Sequence, residues 1–97
     1  MYRQGDVLLV PVETIPSDAK RVPAPIILAH GEATGHAHEI KSRNAKLFES
    51  TGKRFLRLTK TAILEHQEHD PVTLPSGDYE VIRQREYHPE EIRNVAD

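Results

Sequence analysis

The sequence predicts an all-β fold, a compact small barrel or two-sheet roll of about seven short strands with a short C-terminal helix. Three observations carry this expectation. Apolar residues recur at short range almost throughout, at the two-residue spacing of strands and not the 3.6-residue spacing of helices. Turn signals break the chain repeatedly, among them Thr34-Gly35, Ser50-Thr51-Gly52 and Pro75-Ser76-Gly77-Asp78. At 97 residues there is room for one domain only, so the strands must share one core.

In chain order, Asp6 to Val12 (DVLLVPV) is a continuous apolar run after Gly5, of the length a buried strand uses. Pro11 has no N–H to give a neighbour, which places this strand at an edge or puts a bulge in it. Ile15 to Pro25 carries three of the seven prolines and reads as a surface loop. Ile26-Ile27-Leu28-Ala29 is a second short strand, and His36 to Ile40 alternates as a third. Ala45–Glu49 and Lys53–Thr59 flank a turn and form a hairpin, with Leu56 and Leu58 facing one way and Arg57 and Thr59 the other. Thr61 to His66 continues as a strand in which Ala62, Leu64 and His66 share a face. Val72-Thr73-Leu74 leads through the proline turn into Tyr79–Tyr87, where Arg83, Arg85 and Tyr87 share a face. That face reads either as an anion site built on two guanidiniums or, with Gln84 and Glu86 between them, as an exposed charged surface. Pro89 suits a first helical position and Glu90-Glu91 the positive end of a helix. The expected organisation is therefore a single β domain over 1–97, with a β core at 5–88 and a helical tail at 89–97.

Charge and composition exclude much. Lys+Arg (13) nearly balances Asp+Glu (15), for a net charge of −2, so no nucleic-acid partner is expected. Lys53, Arg54, Arg57 and Lys60 make only a modest basic patch, with Phe55 alone beside them. No apolar run approaches the ~18 residues of a membrane span, and no basic-then-apolar leader opens the chain. Absence of cysteine removes disulfides, thiolate nucleophiles, Cys-bound zinc and iron–sulfur clusters. The expectation is a cytoplasmic protein, with homo-oligomerisation open for so small a chain.

Five of the six histidines fall between His30 and His69. In a strand His36 and His38 project to one side, roughly 6.5–7 Å apart, near enough to lean onto one ion. Ile40 shares that side and implies that it faces inward. His66 and His69 form a second pair on another segment. Neutral imidazoles suit a divalent transition metal (zinc, iron, nickel or manganese), and a carboxylate from Glu32, Glu39, Glu65 or Glu68 would complete the shell. His30 is a further ligand or a group that orients one. An open position on such an ion would support metal-assisted hydrolysis, with Glu39 or Glu68 as general base, or oxygen chemistry if the metal is iron. The alternative is a non-catalytic binding or assembly module whose histidines line a pocket or a subunit interface. Gly31 and Gly35 read as turn residues of positive φ, with close backbone approach to a ligand as the alternative. Serines 17, 42, 50 and 76 lie in no nucleophile elbow.

The segments GEATGHAHEI, LEHQEH and LPSGDYEVIRQREY resemble a family of small uncharacterised bacterial proteins with a GExTGHxH motif, over most of the chain. A looser likeness is to the cupins, whose first motif places a glycine ahead of an H-x-H, as Gly31 stands to His36 and His38, and whose second contains P-x-G, as in Pro75-Ser76-Gly77. That likeness implies a double-sheet barrel and metal ligands at His36 and His38 alone. The glutamate of the first motif and the histidine of the second have no counterpart, since Ser42, Arg43 and Asp78-Tyr79-Glu80 occupy those places.

Overall fold

The computed structural model describes residues 1–31 and 35–84. Ten strands run in order: β1 Tyr2–Gln4, β2 Val7–Val12, β3 Lys20–Val22, β4 Ile26–His30, β5 Ala37–Ile40, β6 Ala45–Ser50, β7 Lys53–Leu58, β8 Ala62–Glu65, β9 Val72–Leu74 and β10 Gly77–Arg83. They make two antiparallel sheets, one ordered β1-β2-β10-β7-β6-β3 and the other β4-β5-β8-β9. The all-β expectation holds, as a two-sheet structure and not a closed barrel. The expected helical tail at 89–97 lies outside the described residues, as do Arg85, Tyr87 and His88. No helix among the described residues is long and apolar enough to cross a membrane.

Three strands were not legible in the pattern. β1 precedes the expected start of the β core at residue 5. It exists because Gly5, at φ +59°, turns the chain back so that Tyr2↔Leu9 and Gln4↔Val7 pair. β3 lies within the stretch expected to be a loop. It is held by main-chain pairing of Lys20–Val22 with Leu47–Glu49, and its side chains are mostly exposed, so no apolar period marks it. β9 is similarly short, pairing with β8 through Leu64↔Val72 and Ala62↔Leu74.

Pro11 is on an internal strand, between β1 and β10. β1 reaches only as far as Leu9, however, so Pro11 has a strand partner on the β10 side alone, opposite Tyr79, and its missing N–H disrupts no ladder on the other. The β6–β7 hairpin is turned by Thr51 (φ +47°) and Gly52 (φ +80°), the two positive φ values that match the twist of the flanking strands.

The facing sides of the sheets bury Val7, Leu9, Leu28, Ile40, Leu47, Leu56, Leu64, Leu74 and Tyr79 in one cluster. Removing this much aliphatic surface from water is the main force holding the layers together. Leu8 and Phe55 are also buried, but outside that cluster. Polar contacts link the sheets around Gln4 and around Arg54. Gln4 of β1, 3% exposed, donates both amide hydrogens across to the carbonyls of Leu64 (2.9 Å) and Asp70 (2.9 Å). Arg54 of β7 donates to the carbonyls of Ile27 (2.8 Å) and Leu28 at an irregularity in the register of β4. Arg57 forms a two-pronged pair with Asp78 (3.0 and 3.2 Å), so two of the four residues of the expected basic patch have partners within the fold.

Candidate metal centre

At one end of the sandwich, the β1–β2 turn and the end of β10 face the leading end of β5 and the segment after β8. Between them is a cavity of about 400 Å³ lined by Gly5, Asp6, Gly31, His36, His38, His66, Glu68, His69 and Arg83. The two histidine pairs therefore meet. Ring centroids lie 4.4 Å apart for His38–His66, 4.6 Å for His66–His69, 5.6 Å for His36–His66 and 5.8 Å for His38–His69. Strand alternation does this for His38, which shares its buried face with Ile40, while Ala37 and Glu39 take the other. His66 and His69 follow β8 in a bend.

Not every residue the sequence singled out is here. His30 is exposed at the end of β4. Glu39 and Glu65 are cross-strand partners on the opposite face and line a separate cavity, so neither is placed to serve an ion among the histidines. Glu32 lies outside the described residues. Glu68 does line the cavity, with its carboxylate 3.3 Å from His36 Nδ1, where it orients the ring.

Hydrogen-bond partners fix two tautomers, those of His38 and His66, and a nearby carboxylate favours one at His36. Both amide hydrogens of Gln4 are used on carbonyls, so its Oε1 must face His38 Nδ1, at 2.9 Å, and accept a hydrogen bond. Nδ1 of His38 thus carries the proton, and the lone pair is left on Nε2, 3.8 Å from Asp6 Oδ1. The Glu68 carboxylate, 3.3 Å from His36 Nδ1, favours a proton on that nitrogen and so a lone pair on Nε2. An imidazole held at Nδ1 by an amide or carboxylate and free at Nε2 is the arrangement of metal-binding histidines. His66 is the reverse. Its Nδ1 accepts N–H bonds from Glu68 (2.9 Å) and His69 (3.3 Å), so the neutral ring carries its hydrogen on Nε2 and cannot coordinate there.

Electrostatics favour neutral rings beside a net negative charge. Burial, helped by the nearby His66, pushes the His38 imidazole down to about 4. His66 is also lowered, by desolvation and then by His69 and His36. Burial alone would raise the Asp6 carboxyl, but the hydrogen bond and charge of Arg83 (Nη2–Oδ2 2.8 Å) outweigh it and hold the group below its usual range. With neutral histidines, Asp6 and Glu68 against Arg83 leave the cavity at a formal charge of −1.

Two donors on one tetrahedral ion with bonds of about 2.0–2.1 Å stand ~3.3 Å apart. His38 Nε2 and Asp6 Oδ1, at 3.8 Å, fall about half an ångström short of that. Among the described residues, no three His, Asp or Glu groups stand ready-made as a coordination shell.

Sequence reasoning missed Gln4 and Asp6, and left Arg83 between an anion site and an exposed charged face. For Arg83 a signal existed: it continues the buried face of Tyr79 and Val81, which argues inward, not for a solvated surface. Gly31 was also misread. Its requirement is close approach, since a Cβ there would fall 2.8 Å from His36 Cβ and 3.2 Å from His66 Nε2. Gly35, at φ +81°, is a turn glycine as expected.

A family model described as a domain of unknown function (DUF8820) matches residues 3–84. No curated protein and no solved structure matches the chain.

Proposed function

The chain belongs to the DUF8820 family, whose matched region contains the whole cavity from Gly5 to Arg83, and from that premise we propose that the cavity binds a divalent transition metal. The ligands are His36 and His38 through Nε2 and the carboxylate of Asp6, with His69 as the third imidazole. Gln4 and Glu68 orient His38 and His36 from behind. The observation that carries this reading is the His38 tautomer held by Gln4, beside a His36 ring whose Nδ1 faces the Glu68 carboxylate, so that both Nε2 lone pairs are available to a cavity of negative charge. His66 is left out of the shell that the sequence suggested, because its Nδ1 already serves two main-chain N–H groups. The half-ångström gap between His38 and Asp6 closes by rotation of the Asp6 carboxylate, which is partly exposed.

No particular reaction follows from these residues. If the ion keeps a water, it supplies a hydroxide near neutral pH; Glu68, whose carboxylate lies 3.3 Å from His36 Nδ1, acts as a positioning group there and not as the base first expected. The competing reading, a polar pocket with no ion, is favoured by the His66 geometry and by the lack, among the described residues, of a ready-made three-group shell.

Elemental analysis of protein purified without chelator, followed by calorimetric titration of the stripped protein with Zn(II), Ni(II), Mn(II) and Fe(II), tests the proposal. One equivalent of metal is expected, lost in the His36→Ala, His38→Ala double variant and kept in His30→Ala. No metal on the purified protein and no uptake of any of the four would overturn it.

A further inference from the structure

Two N–H donors in this cavity have no role in holding an ion. Arg83 gives Nη2 to Asp6 Oδ2 at 2.8 Å, but its Nε is buried and has no hydrogen-bond partner. His66 presents Nε2–H, since Nδ1 is committed to the backbone, and no acceptor for that hydrogen is found among the described residues. They come from different sheets, Arg83 from the end of β10 and His66 from the end of β8, and both line the one cavity. An unmade hydrogen bond from a buried N–H is costly, and native structures retain such groups chiefly where something else completes them.

Charge says when that completion occurs. Counted with its imidazoles uncharged, the metal-free cavity carries a formal −1 from Asp6, Glu68 and Arg83, which repels anions; a bound divalent ion brings it to +1. The remaining volume, out of about 400 Å³, takes a molecule of a few heavy atoms beside the ion. We propose that the metal-loaded cavity binds a small oxyanion, a carboxylate or phosphate group, with one oxygen on the metal and another accepting from Arg83 Nε–H and His66 Nε2–H. This rests on the metal reading above and adds to it the class of ligand. A planar guanidinium is suited to it, because Nε and Nη2 project side by side: one holds Asp6 while the other reaches the anion.

The test is calorimetric titration of oxalate, and separately of inorganic phosphate, into three proteins: wild type, Arg83→Lys and His66→Asn. Each is used stripped and loaded with whichever metal binds. Arg83→Lys keeps a cation for Asp6 but has no second fork hydrogen. His66→Asn keeps an acceptor for the Glu68 and His69 N–H groups but has no distal donor. Urea midpoints and metal affinity are measured on each, so a folding defect or a lost metal site is recognised as such. At least one of the two anions is expected to bind the loaded wild type and not the stripped protein, with affinity reduced about tenfold or more in each variant while metal affinity stays within about threefold. Binding unchanged in both variants, or of neither anion by loaded protein, overturns the oxyanion inference and leaves the metal site standing. Failure of every metal to bind overturns both.

Discussion

Acidification of the metal-free protein should cost stability through His38. In the unfolded chain this ring has its ordinary value of 6.5; in the folded protein it is pushed down to about 4, with only 3% of its side chain exposed. The unfolded state therefore takes up a proton between those values and the folded state does not, so stability falls as pH falls from 6.5 toward 4. At pH 5.0 the difference is 1.5 pH units at 1.36 kcal/mol each, about 2 kcal/mol, and it approaches ~3 kcal/mol near pH 4. His66, lowered as well by desolvation and its histidine neighbours, acts in the same sense as pH falls below 6.5. Asp6 does not interfere, because its depressed carboxyl loses its contribution only below the ordinary value of 3.8. Urea denaturation in EDTA at pH 7.5 and 5.0 reads the effect. With a slope of ~1–2 kcal/mol/M, the wild-type midpoint should drop by about 1–2 M. His38→Gln, whose amide still donates to Gln4, should lose about 2 kcal/mol less over the same interval. If the variant loses as much as the wild type, the burial argument for His38 is wrong.

Other perturbations separate the roles assigned to individual residues. Gln4→Leu strands the His38 Nδ1–H and the Leu64 carbonyl, and should destabilise by about 2–4 kcal/mol in urea denaturation while weakening metal binding ~10–100-fold. Gly31→Ala forces a Cβ to 2.8 Å from that of His36, and should cost about 1–3 kcal/mol by the same measurement. Metal titration should show Glu39→Gln indistinguishable from wild type and Glu68→Gln weakened, since only Glu68 touches a ligand imidazole. Thr51→Asn relieves a left-handed conformation at the β6–β7 turn and should raise stability by about 0.5–1 kcal/mol, seen as a higher Tm.

What was legible in the sequence is what local pattern records. The alternation around His38 and Ile40 gave the buried face of β5, and that of Ala62 and Leu64 gave β8 and aimed His66 inward. The hairpin at Thr51-Gly52 followed from turn chemistry. What was not legible depends on partners far away in the chain. β3 is a strand only because β6 lies beside it, and Gln4 matters only because it reaches residues 60 and 66 positions on. The tautomers belong to the same class. Nothing in EHQEH distinguishes His66, whose Nδ1 is capped by its own following backbone, from His69 in the same bend.

The polar links between the layers at Gln4 and at Arg54 start from strands three apart in one sheet, β1 and β7, and end on β8 with the segment after it and on β4 in the other. In an unclosed pair of sheets the softest motion is sliding of one over the other, which aliphatic packing resists only weakly because one methyl substitutes for another. Directional bonds to named carbonyls do not slip in that way. They register the layers at two separated points, as a cross-link of sulfur does in small domains that carry one, and this cysteine-free chain thereby keeps Asp6 and Arg83, from one layer, in fixed alignment with His38 and His66, from the other.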